Sequence, residues 1–135
     1  MADPGSEYAL EFLLAFDGHV HHLEGNYSIR FQVVRVPATQ DRPHGLSYSL
    51  TLHAPDGTRL VGFDNAHPAP VRGARFRRRP PASDHWHRTE DDPGRSYAFT
   101  NVEMLLEDFR REVERVLGER GINPTVVAVV IRRPE

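Results

Sequence analysis

The stretch from Thr100 to Leu117, TNVEMLLEDFRREVERVL, decides the fold class. Val102, Leu105, Leu106, Phe109, Val113, Val116 and Leu117 recur at the spacing that lines one side of an α-helix with apolar groups. Glu107, Asp108, Arg111, Glu112, Glu114 and Arg115 occupy the other side, with Glu107/Arg111 and Glu112/Arg115 spaced to pair. Thr100 and Glu103 form a T-x-x-E capping box at the start, and Gly118 or Gly121 can close the end. A helix with a single apolar stripe needs one apolar surface to cover, which in a two-layer domain is a sheet.

The preceding residues read as that sheet. Tyr8, Leu10, Phe12, Leu14 and Phe16 alternate along a first strand that ends at the hairpin dipeptide Asp17-Gly18, and His19 to Leu23 return from it. After the turn at Glu24-Gly25-Asn26, Tyr27, Ile29, Phe31 and Val33 alternate with polar residues. Leu46, Tyr48, Leu50 and Leu52 do the same, and Pro55-Asp56-Gly57 turns the chain into Thr58 to Phe63. The expected architecture is α+β: an antiparallel meander of about five or six strands, one long C-terminal amphipathic helix packed on one face, and a final short strand. Residues 1–135 form one domain, with 1–7 as a flexible N-terminus and 66–83 as a long arginine-rich loop. The final strand, Thr125 to Ile131, is apolar at six positions of seven and is expected to be buried on both faces. A homodimer or a partner protein could supply the second cover, or loops of the same chain could cap the strand.

Composition narrows the function classes. At 135 residues the chain can bury a core unaided. It has no cysteine, which excludes disulfides and thiolate metal sites and fits a reducing compartment. It has no basic-then-apolar leader and no apolar run of about 18 residues, so a cytoplasmic location without membrane association is expected. The formal net charge is −2, and all 17 basic residues are arginine. That balance argues against a general nucleic-acid coat protein. A local basic patch can still set a local field.

Such a patch lies between two acid–imidazole segments. The first is Phe63-Asp64-Asn65-Ala66-His67 and the second is Asp84-His85-Trp86-His87-Arg88. Between them fall Arg72, Arg75, Arg77, Arg78 and Arg79, interrupted by Phe76. Residues two apart in a strand share a face, so His85 and His87 are expected on one side and Asp84, Trp86 and Arg88 on the other. An H-x-H pair can bind a metal or place an acid and a base beside one phosphate. It also occurs as a purely structural pair, and an Asp-Asn dipeptide often does no more than end a strand.

The order YSLTLHAPDGTRLVGFDNAH, a loop, DHWHR, then YAFTNVEMLLEDFRREVERVL resembles the TumE-type toxin family of bacterial toxin–antitoxin systems. The resemblance spans roughly residues 46–117. It rests on Tyr48, Phe63-Asp64-Asn65, Asp84-His85-Trp86-His87-Arg88, Tyr97 with Phe99, Leu105-Leu106 and Asp108-Phe109. It implies a small cytoplasmic toxin whose partner is a cognate antitoxin carrying a helix-turn-helix domain.

The residues themselves suggest RNA as the target and a metal-independent endoribonuclease as the activity. His85 and His87 would serve as base and acid, Asp64 or Asp84 would orient an imidazole, and His67 would be a spare proton carrier. Arg88 and Arg59 would stabilise the developing charge. Arg72, Arg75, Arg77, Arg78 and Arg79 would hold flanking phosphates while Phe76 or Trp86 stacks a base. No cofactor is needed for this chemistry. Two alternatives remain open. Asp64, His67, Asp84, His85 and His87 could instead ligate Mn²⁺ or Zn²⁺ in a metal-dependent phosphodiesterase, or the chain could be a binding module without catalysis.

Overall fold

Antiparallel pairing around a central pair of strands organises the molecule. The computed structural model describes residues 4–40, 44–65, 84–89, 92 and 94–131. Its elements are helix α1 (Pro4–Ala15), β1 (His19–Leu23), β2 (Ser28–Arg35), β3 (Leu46–His53), β4 (Arg59–Asp64), β5 (His85–His87), β6 (Arg95–Ser96), helix α2 (Val102–Glu119) and β7 (Val126–Ile131). Among the described residues they make one seven-stranded sheet ordered β6-β5-β4-β3-β2-β1-β7, so the first six strands are a meander and β7 returns beside β1. All its pairings are antiparallel. The α+β reading holds, including the long C-terminal helix and the final strand.

Alternation in the strands separates two faces. Leu46, Tyr48, Leu50 and Leu52 of β3, Phe31 and Val33 of β2, and Val61 and Phe63 of β4 are buried on one face. Helix α2 covers it with Val102, Leu105, Phe109, Val113, Val116 and Leu117. Phe109 meets both Phe63 and Phe31 edge-on, with ring centres 6.0 and 6.3 Å apart. The opposite face carries exposed Arg30, Gln32 and Val34 and is open on β2.

Several expectations need correction. The segment from Tyr8 to Phe16 is a helix, not a strand. Leu10, Leu13 and Leu14 are also spaced for a helical stripe, and Leu, Ala and Glu favour that conformation. Leu13 is fully buried while Tyr8 and Phe12 are exposed, the reverse of the strand reading. The helix begins at Pro4, inside the stretch expected to be flexible, and the sheet face therefore carries two helices rather than one. Consequently Asp17-Gly18 ends a helix instead of turning a hairpin. Asp17 Oδ1 accepts from the Val33 amide at 2.9 Å, and Gly18 donates to the Phe31 carbonyl at 2.9 Å.

The N-cap of α2 is Asn101, not Thr100. Its side chain accepts from the Met104 amide at 2.8 Å, and Asn is as good a cap as Thr. At the other end Gly121 takes a left-handed φ of 69°, and the Ile122 amide donates back to the Leu117 carbonyl at 2.8 Å. Both helix pairs anticipated, Glu107/Arg111 and Glu112/Arg115, are present, at 3.7 and 2.8 Å. Finally, within the single chain β7 is exposed, and the cover expected from a partner is not supplied by the described residues. Its valines and Ile131 are 44–61% exposed, because β7 extends the sheet beyond β1, where no described residue covers it.

The β5–β6 connection is closed by one carboxylate. Asp92 accepts from the amides of Gly94 (2.9 Å) and Arg88 (3.1 Å) and from Arg95 Nε (2.7 Å). Those two backbone amides, followed by the Arg95 guanidinium, hold its carboxyl down at about 2.

Two measurements check this architecture. In urea unfolding, Leu13→Ala should lose about 2–5 kcal/mol and Phe12→Ala less than about 1 kcal/mol. A strand at this position would reverse the order. For Asp92 the folded carboxyl lies below its unfolded value of 3.8, so its stabilisation is complete above about pH 4 and fades as pH falls through about 2. The Tm gap between the wild type and Asp92→Asn should therefore be widest near neutrality and close in strong acid. A gap that does not change with pH would remove Asp92 from this role.

Candidate functional site

Pairing of β4 with β5 brings the two acid–imidazole segments together. Asp64 stands opposite His85 and Gly62 opposite His87, so those side chains point to the same face, away from α2. The Asp64 carboxylate bridges the two rings. His85 Nε2 is 2.7 Å from Oδ1 and His87 Nε2 is 3.3 Å from Oδ2. The side chains are 14%, 18% and 9% exposed for Asp64, His85 and His87, so the cluster is recessed yet reachable. A nitrogen or oxygen atom from each lies within 4.8 Å of the other two, close enough to hold one metal ion.

The ring orientations have identifiable causes. His87 Nδ1 lies 2.9 Å from the Asp92 carbonyl, which can only accept, so this nitrogen carries a proton. In the neutral ring the Nε2 lone pair then faces Asp64. His85 must donate from Nε2 to sit 2.7 Å from a carboxylate, and its Nδ1 is buried with no hydrogen-bond partner among the described residues. Gly94, at φ 123°, packs against both rings: a Cβ there would stand 3.1 Å from His87 Cε1 and 3.3 Å from His85 Cδ2. Asp92 and Gly94 were missed in reading the sequence, although Asp-Pro-Gly is a turn signal directly after the histidines. Arg59 is on the same face, its side chain lying across Gly62 with Cδ 3.2 Å from where a Cβ would be.

Other expected site residues are elsewhere. Asp84 and Trp86 face α2, the alternate side of β5. Trp86 stacks on Phe63 at 5.5 Å, with the Arg95 guanidinium 5.5 Å from its ring centre. Arg88 is exposed just beyond β5, and its carbonyl accepts from Arg115 of α2 at 3.1 Å. His67, Arg72, Arg75, Phe76, Arg77, Arg78 and Arg79 lie outside the described residues.

Asp84 belongs to a second, buried network. Tyr48 Oη donates to Asp84 Oδ2 at 2.6 Å, and His44 Nε2 is 3.0 and 3.2 Å from the two carboxylate oxygens. His44 Nδ1 accepts from the Leu46 amide at 3.2 Å, which leaves the Nε2 proton for Asp84. Burial, then the bond to Asp84, pushes the Tyr48 phenol far above its ordinary range, so it stays a donor. Phe99 lies 4.2 Å from the His44 ring. Asn65 fixes the neighbouring end of the sheet: fully buried, it accepts from the Tyr48 amide (2.9 Å) and donates to the Leu46 carbonyl (2.6 Å). Sequence spacing gave no sign of His44, which stands 40 residues from Asp84.

The family model described as Toxin TumE matches residues 14–117, from the end of α1 through Leu117 of α2, and so takes in every residue of both networks. No curated protein and no solved structure matches the chain. The β7 strand lies beyond the matched span. On this match the chain belongs to the TumE family of toxins, and its natural counterpart is an antitoxin.

Proposed function

We propose that this toxin cleaves RNA, without a metal, at the centre formed by Asp64, His85 and His87. The observation that carries the reading is one carboxylate held between two imidazoles on the face of the sheet that α2 leaves free. One imidazole takes the proton from a ribose 2′-hydroxyl as that oxygen attacks phosphorus. The P–O5′ bond breaks, and the departing oxygen takes a proton from the other ring. The products are a 2′,3′-cyclic phosphate and a 5′-hydroxyl. Each such proton transfer contributes about 10²–10⁴ in rate.

Of the two carboxylates expected to orient an imidazole, Asp64 is favoured because it touches both rings, whereas Asp84 is bonded to Tyr48 and His44 across the sheet. Arg59 supplies a guanidinium on the same face for the phosphorane. In this reading the arginines from Arg72 to Arg79, which fall in sequence between Asn65 and Asp84, meet the flanking phosphates. The recessed rings favour an unpaired strand, whose phosphates and bases can be turned inward, over an A-form duplex. A cognate helix-turn-helix antitoxin would silence the protein by presenting acidic residues to this arginine segment.

Purified protein should cut single-stranded RNA in the presence of a chelator and leave cyclic phosphate ends. Asp64→Asn, His85→Ala and His87→Ala should each lower the rate by about 10² or more while circular dichroism stays unchanged. Full cleavage by the folded His85→Ala/His87→Ala double variant would end this reading. The association rate with the antitoxin should fall as salt rises, and a rate indifferent to salt would remove the arginine segment from the interface.

A further inference from the structure

We infer that Asp64, His85 and His87 also form a binding site for one divalent transition-metal ion, and that an ion held there excludes the acid–base chemistry. The second half rests on the function proposed above; the first half rests on geometry alone.

Two imidazole nitrogens and a carboxylate oxygen, all within 4.8 Å of one another, are a donor set suited to Zn²⁺ or Mn²⁺ rather than to oxygen-seeking Mg²⁺ or Ca²⁺. Bonds of about 2.0–2.2 Å in a tetrahedral arrangement place two donor atoms about 3.3–3.6 Å apart. His87 Nε2 and Asp64 Oδ2 are already 3.3 Å apart. The 2.7 Å contact of His85 is a hydrogen bond, so that ring must move outward slightly to share an ion.

The surroundings of His87 strengthen the case. Metal-bound histidines usually donate their second ring proton to a carbonyl or carboxylate, which aims the other nitrogen at the ion. His87 makes that bond, to the Asp92 carbonyl at 2.9 Å. With that proton on Nδ1, Nε2 is the atom turned toward the Asp64 carboxylate, the place where a proton or a cation can sit between them. The Asp92 turn is itself pinned by the amides of Gly94 and Arg88 and by Arg95, so the outer support is fixed. Three protein donors leave a fourth position open.

An ion bound at both Nε2 atoms displaces the proton that His85 Nε2 carries to Asp64 and occupies the His87 Nε2 lone pair, so neither ring can exchange a proton with the 2′-hydroxyl or the departing oxygen. Metal occupancy and metal-free cleavage are therefore mutually exclusive.

The test uses the full chain freed of metal by chelation, with Zn²⁺ alone as the probe. Calorimetry should show one Zn²⁺ bound per chain, weakened about tenfold or more in Asp64→Asn and in His87→Ala. Proton resonances of His85 and His87 should move with the same stoichiometry in the wild type, a readout that does not depend on the variants folding. Cleavage of RNA should fall as Zn²⁺ saturates this site and recover with chelator. Unaltered Zn²⁺ affinity in both variants, or no movement of these resonances, overturns the site. Zinc-stimulated cleavage would overturn the exclusion and with it the metal-free mechanism, leaving the site intact. Zinc binding that depends on the three residues, in a protein that cuts no RNA, would support the site while refuting the proposed function.

Discussion

The pairing of Arg59–Asp64 with His85–His87 is the constraint on which the rest of the centre depends. Three ladder positions set Asp64 against His85, Phe63 against Trp86 and Gly62 against His87. Because side chains alternate across a strand, that register sends the acid and both imidazoles to one side and the aromatic pair into the core on the other. A slip of one residue would bury the imidazoles under α2 and turn Trp86 outward. The stacked Phe63 and Trp86 and the edge-on Phe109 hold the register through apolar packing. Asp64, His85 and His87 therefore owe their placement to side chains on the other face of the sheet.

Polar anchoring completes what packing begins. Asn65 ties the end of β4 to Leu46 and Tyr48, and Asp84 ties the start of β5 to Tyr48 and His44. Tyr48 thus links both ends of the interval through its backbone and its hydroxyl. Buried groups of this kind are costly if left unpaired. Their mutual satisfaction makes the arrangement specific, and the Asp92 turn plays the matching part on the far side of β5.

How legible this was in the sequence varied with the range of the forces involved. Helix α2 and strands β2 and β3 were readable because one local period dominated each segment, β4 followed from the Pro55-Asp56-Gly57 turn, and β1 was reached through a hairpin at Asp17-Gly18 that is not there. The face shared by His85 and His87 followed from strand geometry. The N-terminal segment was misread because Leu10, Phe12 and Leu14 satisfy a two-residue period while Leu10, Leu13 and Leu14 satisfy a helical one. Only packing of Leu13 against the core separates them. Likewise Thr100 and Asn101 both qualify as a cap, and local geometry chose the second. That Asp64, rather than Asp84, joins the imidazoles depends on a pairing across a long insertion, and no local pattern encodes it. His44 and the Asp92 carbonyl were invisible for the same reason: one contact is distant in sequence and the other is made by backbone.

The anchoring of Asn65 and Asp84 has an evolutionary consequence. A chain segment clamped at both ends can lengthen or change composition at little thermodynamic cost, since doubling a flexible loop adds only about 0.6 kcal/mol of closure entropy. An anchor thus stands at each end of the interval between these two residues, beside the Asp64, His85 and His87 side chains. On the function proposed above, substitutions or insertions there retune which RNA or inhibitor is engaged while Asp64, His85 and His87 keep their positions, so target choice and chemistry are free to diverge at different speeds.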